Sequence, residues 1–443
     1  MLKKDSRKVV PGDTFVDTTF NKEYVYDAVK NGASLIISKF KYDNNTIIVD
    51  DPKQYYNEYI YNKYYDKIKD LTLIGITGTN GKTTTSYIIY EILNKMNVKC
   101  AYIGTIGFYK NNQIKVLNNT TPDIEELYEY LYECSLENIK YVVMEVSSHA
   151  LDQDRVYGLK YDACIFTNLT EDHLDYHKNM DEYKKTKMLL FDKLRNKRIA
   201  IINSDDCNYK DFMFDNNYNV KVGKFGDYKI KNIKLNIDSL DLTFNFKKDY
   251  FKHLNLVGKY NAYNYLEAVA TLNYLNFDLN KILEVDVFAP PGRMYLINYK
   301  NNKIFIDYAH TPDAMDKVLK SVNEFKKNKI ITIFGCGGDR DKNKRSIMGN
   351  IASSYSDKVI ITNDNPRNEN ENNIISDIVM GIKKENYEII KDRKKAIIEG
   401  ISYLNDNDIL LILGKGHENY QIINGKKRYF SDLNTTMEII NSE

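Results

Sequence analysis

Short apolar runs alternate with longer stretches of helical period along most of this chain. Residues 71–77, 141–145, 163–167 and 198–203 form the first series of runs. Strands interleaved with helical stretches predict a mainly parallel sheet covered by helices. Pro290, Pro291 and Gly292 break the pattern, and a second series follows at 303–307, 329–334, 358–362 and 409–413, predicting a separate α/β unit. Before residue 71 the strand-like pieces are brief, at 14–16, 34–37 and 46–49, and the tyrosine- and lysine-rich stretch 55–69 closes them. The expected division is 1–70, 71–290 and 291–443, in keeping with ordinary domain sizes. One helical stretch carries an anomaly. Tyr183, Lys187, Leu190, Phe191 and Leu194 fall at spacings of 4, 7, 8 and 11 residues, which puts a lysine on an apolar stripe. Two readings stand: the stem snorkels out to water, or the amine is desolvated, its pKa falls, and it can react with carbon dioxide to give an anionic carbamate.

The polar segments at strand ends carry the chemistry. TGTNGKTT at 77–84 joins an apolar run to a helical one. Gly78 and Gly81 free backbone N–H groups to cradle phosphate oxygens, Lys82 neutralises them, and the Thr83 hydroxyl can reach a magnesium ion. The strict glycine-rich pattern is not met, because Ile76 stands where its first glycine belongs and Gly75 comes one residue earlier. Glu145 ends the next strand, where an acid beside a phosphate loop commonly holds magnesium. FTNLTEDHLDYH at 166–177 offers His173 as a candidate ligand and His177 as a satisfied or capping residue. The late strands end in DYAHTPD, GCGGDRD, TNDNPR and GKGHE, loops expected to share one cleft at the carboxyl edge of their sheet.

Composition narrows the picture. Of 443 residues 43% are hydrophobic, enough for a core in each unit, and 63 Lys plus Arg against 61 Asp plus Glu give no reason to expect a nucleic-acid partner. Five scattered cysteines show no metal-ligand spacing or disulfide framework, which fits a reducing cytoplasm. No signal peptide or membrane span is expected.

Those motifs, with NTTPD at 119–123, MEVSSHALDQDR at 144–155, PGRM at 291–294, FGCGGDRDKNKR at 334–345, DNPR at 364–367 and GKGHE at 414–418, occur in an order that resembles the Mur ligases, the tripeptide-forming branch above all. The resemblance runs from about residue 71 to the end. It implies a small uridine-binding α/β domain, a central P-loop ATPase-like domain and a C-terminal Rossmann-like domain, in a cytoplasmic enzyme expected to be a monomer. It implies that ATP phosphorylates a carboxylate and that an amine then attacks the acyl phosphate. By this resemblance Gly78, Thr79, Asn80, Gly81, Lys82, Thr83 and Thr84 bind the phosphates and Asn264 the adenine, while Arg293 and Asp307 reach the nucleotide on domain closure. Thr83 and Glu145 hold one Mg2+; His173 and carbamylated Lys187 hold a second.

The implied acceptor is UDP-N-acetylmuramoyl-L-alanyl-D-glutamate, with matching positions Ser6, Asn119, Thr120, Thr121, Ser147, Gln153 and Arg155. DSRKVVPGD at 5–13 and Phe15-Val16 match the uridine-binding start, but the family's glycine- and histidine-containing segment is replaced by DTTFNKEYVYDAV, so the first domain reads as abridged. Arg340, Asp364, Asn365, Pro366, Arg367, Gly414 and Glu418 match the amino-acid site. DNPR is the form associated with meso-diaminopimelate: Arg340 and Arg367 would take the distal carboxylate and Glu418 the ammonium. L-Lysine lacks that carboxylate and would leave a guanidinium unpaired. A folylpolyglutamate-type ligase and a non-catalytic nucleotide-binding homologue are the competing readings; an internal salt bridge is the competing role for Arg367.

Overall fold

The computed structural model describes residues 1–42, 45–111, 113–174 and 176–442; Asp175, inside the histidine-bearing motif, and Glu443 lie outside them, as do the side chains of Asn196 and Lys197. Within these residues the chain builds three sheets that matter for the site. The first is a small, fully parallel sheet of Leu2–Lys3, Thr14–Val16, Leu35–Ser38 and Thr46–Ile48. The stretch after it is the helix Pro52–Ile68, capped by Asp51, whose carboxylate accepts from Gln54 N, with proline at the first turn where no N–H is needed. Its Tyr56, Ile60, Tyr64 and Ile68 pack into the core of the second sheet.

The second sheet has eleven strands, and its centre runs Leu194–Asn203, Tyr161–Phe166, Thr72–Thr77, Tyr141–Glu145, Cys100–Gly104, all parallel. Four of these five were legible, because parallel strands covered on both faces carry apolar runs; Cys100–Gly104, though buried throughout, was not among the expected strands. Gly75, displaced from the loop, serves packing: a Cβ there would lie 2.9 Å from the Tyr161 ring. Antiparallel strands extend both edges, Tyr228–Leu235, Leu240–Phe246 and Lys248–Leu254 on one side and Gly107–Lys110 with Gln113–Lys115 on the other. The third sheet orders Tyr295–Tyr299, Asn302–Asp307, Ile409–Leu413, Ile330–Phe334, Lys358–Ile361 and Tyr387–Ile389, parallel except for its first strand. The α/β class with mainly parallel sheets is the one expected.

The lysine-bearing helix needs correction. It spans Met180–Met188, and Leu194 already belongs to the strand Leu194–Asn203, where it pairs with Tyr161. Sheet pairing wins over the helical period for the last members of the stripe.

Candidate functional site

The strand Thr72–Thr77 delivers the loop 78–81 to the helix Lys82–Lys95. Gly81 sits at the N-cap with φ 89° and offers no side-chain cap, so the first-turn N–H groups lack intrahelical partners and point outward as an anion cradle. Glycine is enforced by contact as well as by φ: a Cβ on Gly78 would lie 2.0 Å from Thr167 Oγ1, and one on Gly81 2.5 Å from Asn264 Oδ1. Asn168 braces the loop, its Oδ1 accepting from Asn80 N at 2.9 Å and its Nδ2 donating to Asn80 O at 3.0 Å. Thr79 Oγ1 donates to Thr170 O at 3.0 Å, and Thr84, in the first turn of the helix, is buried.

Glu145 is fully buried, and neutral donors surround it. Tyr102 OH and Thr105 N donate to Oε1 at 2.5 and 2.8 Å; Thr83 and Thr105 hydroxyls donate to Oε2, each at 3.0 Å. Arg293 reaches across from the third unit, its Nη2 donating to Thr83 Oγ1 at 3.1 Å while the guanidinium lies 4.5 Å from the Tyr308 ring centroid. Asp307 accepts from Met294 N and Ala309 N, both at 2.7 Å, and burial pushes its carboxyl above the usual range. A cleft of about 590 Å³ gathers the phosphate loop, Glu145, His173, Asn264, Arg293 and Asp307.

The two lysines of this region meet no carboxylate among the described residues. Lys82 Nζ curls back onto Gly78 O and Thr79 O, both at 2.9 Å, and burial lowers its pKa. Lys187 is only 1% exposed, which rules out snorkelling; its Nζ donates to Gly78 O at 2.9 Å and lies 4.4 Å from the Tyr183 ring centroid. Burial, reinforced by Lys82, lowers its pKa well below the usual amine value. His173, at φ 54°, also contacts Tyr183, with ring centroids 6.2 Å apart, and desolvation holds its imidazole down at about 4 against the opposing pull of Asp172. His177 is the satisfied histidine expected, paired with Ser148 Oγ at 3.0 Å.

The acceptor positions divide. Thr120 lines the cleft, its hydroxyl 3.2 Å from that of Thr105. Thr121 ties Glu145 O to Ser147, donating at 2.9 Å and accepting from Ser147 N at 3.1 Å. Arg155 spends its fork on Gln153 Oε1 and Thr121 O. Asn119 is exposed, and Ser6 is buried in a turn of the first unit. The first unit is nevertheless tied in, by Lys4 Nζ donating to Asp123 Oδ1 at 2.7 Å.

At the third sheet, Asn365 Nδ2 and the buried Lys415 Nζ both donate to Glu418 Oε2 at 3.0 Å. Arg367, at φ 54°, is gripped by the hairpin Tyr420–Ile423 and Lys426–Tyr429: its N donates to Ile422 O, and its O accepts from Asn424 N. Its Nη1 donates to Gly338 O at 2.6 Å. Among the described residues no carboxylate pairs with it, which removes the internal salt-bridge reading. A Cβ on Gly337 would lie 2.8 Å from Arg367 Nη1 and 3.9 Å from Arg340 Cγ, so both arginines border that glycine, although Arg340 is exposed. Pro366 is buried, and a Cβ on Gly414 would meet Asp364 Oδ2 at 2.8 Å. The sequence reading passed over Asn168, Tyr102, Lys415 and Asp172, another residue of the cleft wall. Three of them stand inside quoted motifs; Tyr102 sits in an ordinary apolar strand and gave no signal.

A phosphate loop between parallel strands, an acid on the adjacent strand and an arginine from a second sheet converging in one cleft define an α/β protein of the P-loop class. Residues 76–272 match the family model of the Mur ligase middle domain and 292–416 that of the Mur ligase glutamate ligase domain. The chain belongs to the Mur ligase family. It is 40% identical over 463 residues, covering 99% of this chain and 94% of the relative, to UDP-N-acetylmuramoyl-L-alanyl-D-glutamate--2,6-diaminopimelate ligase 1 of Clostridium acetobutylicum; the similarity thus takes in the first 70 residues, beyond the span read from motifs. A solved structure of a ligase of that name aligns with TM-score 0.69 and 30% identity over 100% of this chain and 94% of that one. Folylpolyglutamate synthase of Mycobacterium tuberculosis aligns equally well, at TM-score 0.69, but at 13% identity over 82% of this chain and 92% of its own, a likeness of fold alone. No helix among the described residues is long and apolar enough to cross a membrane.

Proposed function

We propose that this protein is an ATP-dependent ligase that joins meso-2,6-diaminopimelate to UDP-N-acetylmuramoyl-L-alanyl-D-glutamate through an acyl phosphate, in the cytoplasmic supply of peptidoglycan precursors. One observation carries the reading: the diaminopimelate ligase of C. acetobutylicum is 40% identical over 99% of this chain. The division 1–70, 71–290 and 291–443 belongs to the same reading, each part contributing one substrate.

The acceptor's glutamyl carboxylate attacks the γ-phosphorus and ADP departs; the amine of diaminopimelate then attacks the acyl carbon and expels phosphate. The first-turn N–H groups of Lys82–Lys95 and the Lys82 ammonium, turned out from the Gly78 and Thr79 carbonyls, stabilise the phosphates and the charge that develops on transfer. The Thr83 hydroxyl and Glu145 carboxylate, 3.0 Å apart, form a hard-oxygen pair suited to Mg2+, with Arg293 donating to the same hydroxyl. Lys187, a buried amine with lowered pKa, fits carbamylation, and with His173 it would hold a second Mg2+. Bound there, these ions would neutralise the oxygens that the two anions bring together. Asn264 and Asp307 position the nucleotide. Thr120, Thr121, Ser147, Gln153 and Arg155, with Asn119 and Ser6, hold the acceptor. Arg367 and Arg340 take the distal carboxylate of diaminopimelate, and Glu418 its ammonium, within a pocket shaped by Asp364, Asn365, Pro366 and Gly414.

The test is phosphate release with ATP, Mg2+ and the UDP-muramoyl dipeptide, comparing meso-diaminopimelate, L-lysine and no amino acid. Turnover with diaminopimelate alone is expected. Turnover with lysine would overturn the specificity, and silence in all three would overturn the ligase.

A further inference from the structure

A hydrogen-bond chain runs through Asn264, and its polarity can be read from one end. Asn261 Nδ2 donates to Val257 O at 2.7 Å; a carbonyl only accepts, so Asn261 Oδ1 is left as an acceptor. Asn264 Nδ2 donates to that oxygen at 2.8 Å. This turns Asn264 Oδ1 toward Thr85 Oγ1, 3.4 Å away, and toward Gly81, whose added Cβ would lie 2.5 Å from it. Thr85 has one hydroxyl proton and two acceptors facing it, Glu267 Oε2 at 3.2 Å and Asn264 Oδ1 at 3.4 Å. If Asn264 takes it, only lone pairs face Glu267, and a carboxyl donates there only when protonated. Glu267 is 1% exposed on the wall of the nucleotide cleft, with no cation among its described partners.

We propose that Glu267 is a positioning residue for the nucleotide: as a neutral acid it donates to Thr85 and, through Thr85, fixes the Asn264 amide against the phosphate loop. Burial favours that form, pushing the Glu267 carboxyl well above the ordinary carboxylate range against the smaller opposing effect of the Thr85 hydroxyl. The relay couples base and phosphate recognition, since one amide oxygen is packed on the glycine that opens the phosphate helix. The inference rests on the ligase reading, in which Asn264 contacts the adenine.

Two measurements test it. Infrared spectroscopy at neutral pH should show the C=O stretch of a protonated carboxyl that disappears in Glu267→Gln. Calorimetric titration with ADP should show binding weakened about tenfold in Glu267→Ala and in Thr85→Val, with Glu267→Gln close to wild type because its amide N–H can donate in place of the acid. In turnover the same two losses should raise KM for ATP while KM for the UDP-dipeptide stays put. Circular dichroism identifies any variant that fails to fold, and Thr85→Val stands in if Glu267→Ala does so. Absence of the Glu267 band, or folded variants that bind ADP as wild type does, would overturn the proposal. Failure of wild type to bind ADP would overturn the ligase reading, with the infrared band still deciding whether Glu267 is neutral.

Discussion

The phosphate cleft and the third sheet handle buried charge in opposite ways. In the cleft, Lys82 and Lys187 donate to backbone carbonyls, while Glu145 and Asp307 accept from hydroxyls and backbone N–H groups. Opposite charges are held near one another without being spent on one another. At the third sheet the rule reverses: Arg393 and Asp432, both fully buried, form a two-pronged pair at 2.7 and 2.8 Å, and Arg345 binds Glu369 and Asp377. There the scaffold neutralises itself, and among the described residues the Arg367 guanidinium donates to a carbonyl rather than a carboxylate. Charges left unpaired mark where a charged ligand is to arrive; paired ones mark what holds the frame.

The sharpest way to break this contrast is to remove one unspent charge and one spent one. Lys187→Ala should reduce ligation by about ten-thousandfold or more, with the fold intact by circular dichroism and partial rescue by short carboxylic acids. Unchanged turnover would mean the buried amine is structural. Arg393→Ala leaves the Asp432 carboxylate buried and unpaired, and denaturant unfolding should show a loss of about 3–5 kcal/mol. The paired replacement Arg393→Met with Asp432→Leu should recover most of that loss, since neither charge is then stranded. Equal behaviour of the single and double variants would deny that the pair acts as a unit.

The same contrast explains what the sequence could disclose. Strands buried on both faces read directly as apolar runs, so the centres of the two large sheets were legible apart from Cys100–Gly104, while the antiparallel strands from Tyr228 to Leu254 alternate with lysines at an edge and were not. The phosphate loop, Glu145 and the DNPR loop are contiguous signatures, and contiguity is what a sequence shows. Pairing across the fold is not visible: Tyr102 meets Glu145 across 43 residues and Arg393 meets Asp432 across 39. Periodicity put Lys187 on an apolar stripe but could not choose between snorkelling and burial, because that depends on Gly78 O, 109 residues away. Glu267 was silent for the same reason. Its helix, Lys259–Tyr274, is buried on nearly all sides, so an acid there stands out only once its neighbours are known.

Arg367 sharpens the comparison at smaller amplitude. Replacing it with alanine should raise KM for diaminopimelate about a hundredfold, as expected for losing charge-assisted bonds to a carboxylate, and leave KM for ATP within about twofold. Arg367→Lys should recover little, because an ammonium cannot reproduce the planar fork. Equal effects on both substrates would take Arg367 out of the specificity site.

The smallest expected effect is one of acidity, and it arises where the two regions meet. His310 follows Asp307 in the third unit, lines the nucleotide cleft, and donates from Nδ1 to Tyr308 O at 2.8 Å. Burial, helped by the Lys344 ammonium, lowers its pKa from 6.5 to about 4. The unfolded chain therefore binds more protons than the folded one between about pH 6.5 and pH 4, so the stability that His310 contributes is fully present above that window and is lost as pH falls through it. Urea unfolding across this range should show a decline that His310→Gln reduces by on the order of 1 kcal/mol, while stability above pH 7 changes far less with pH in either protein. A pH slope untouched by the substitution would place the acid sensitivity elsewhere, with His417, lowered to about 3 on the neighbouring loop, as the next residue to replace.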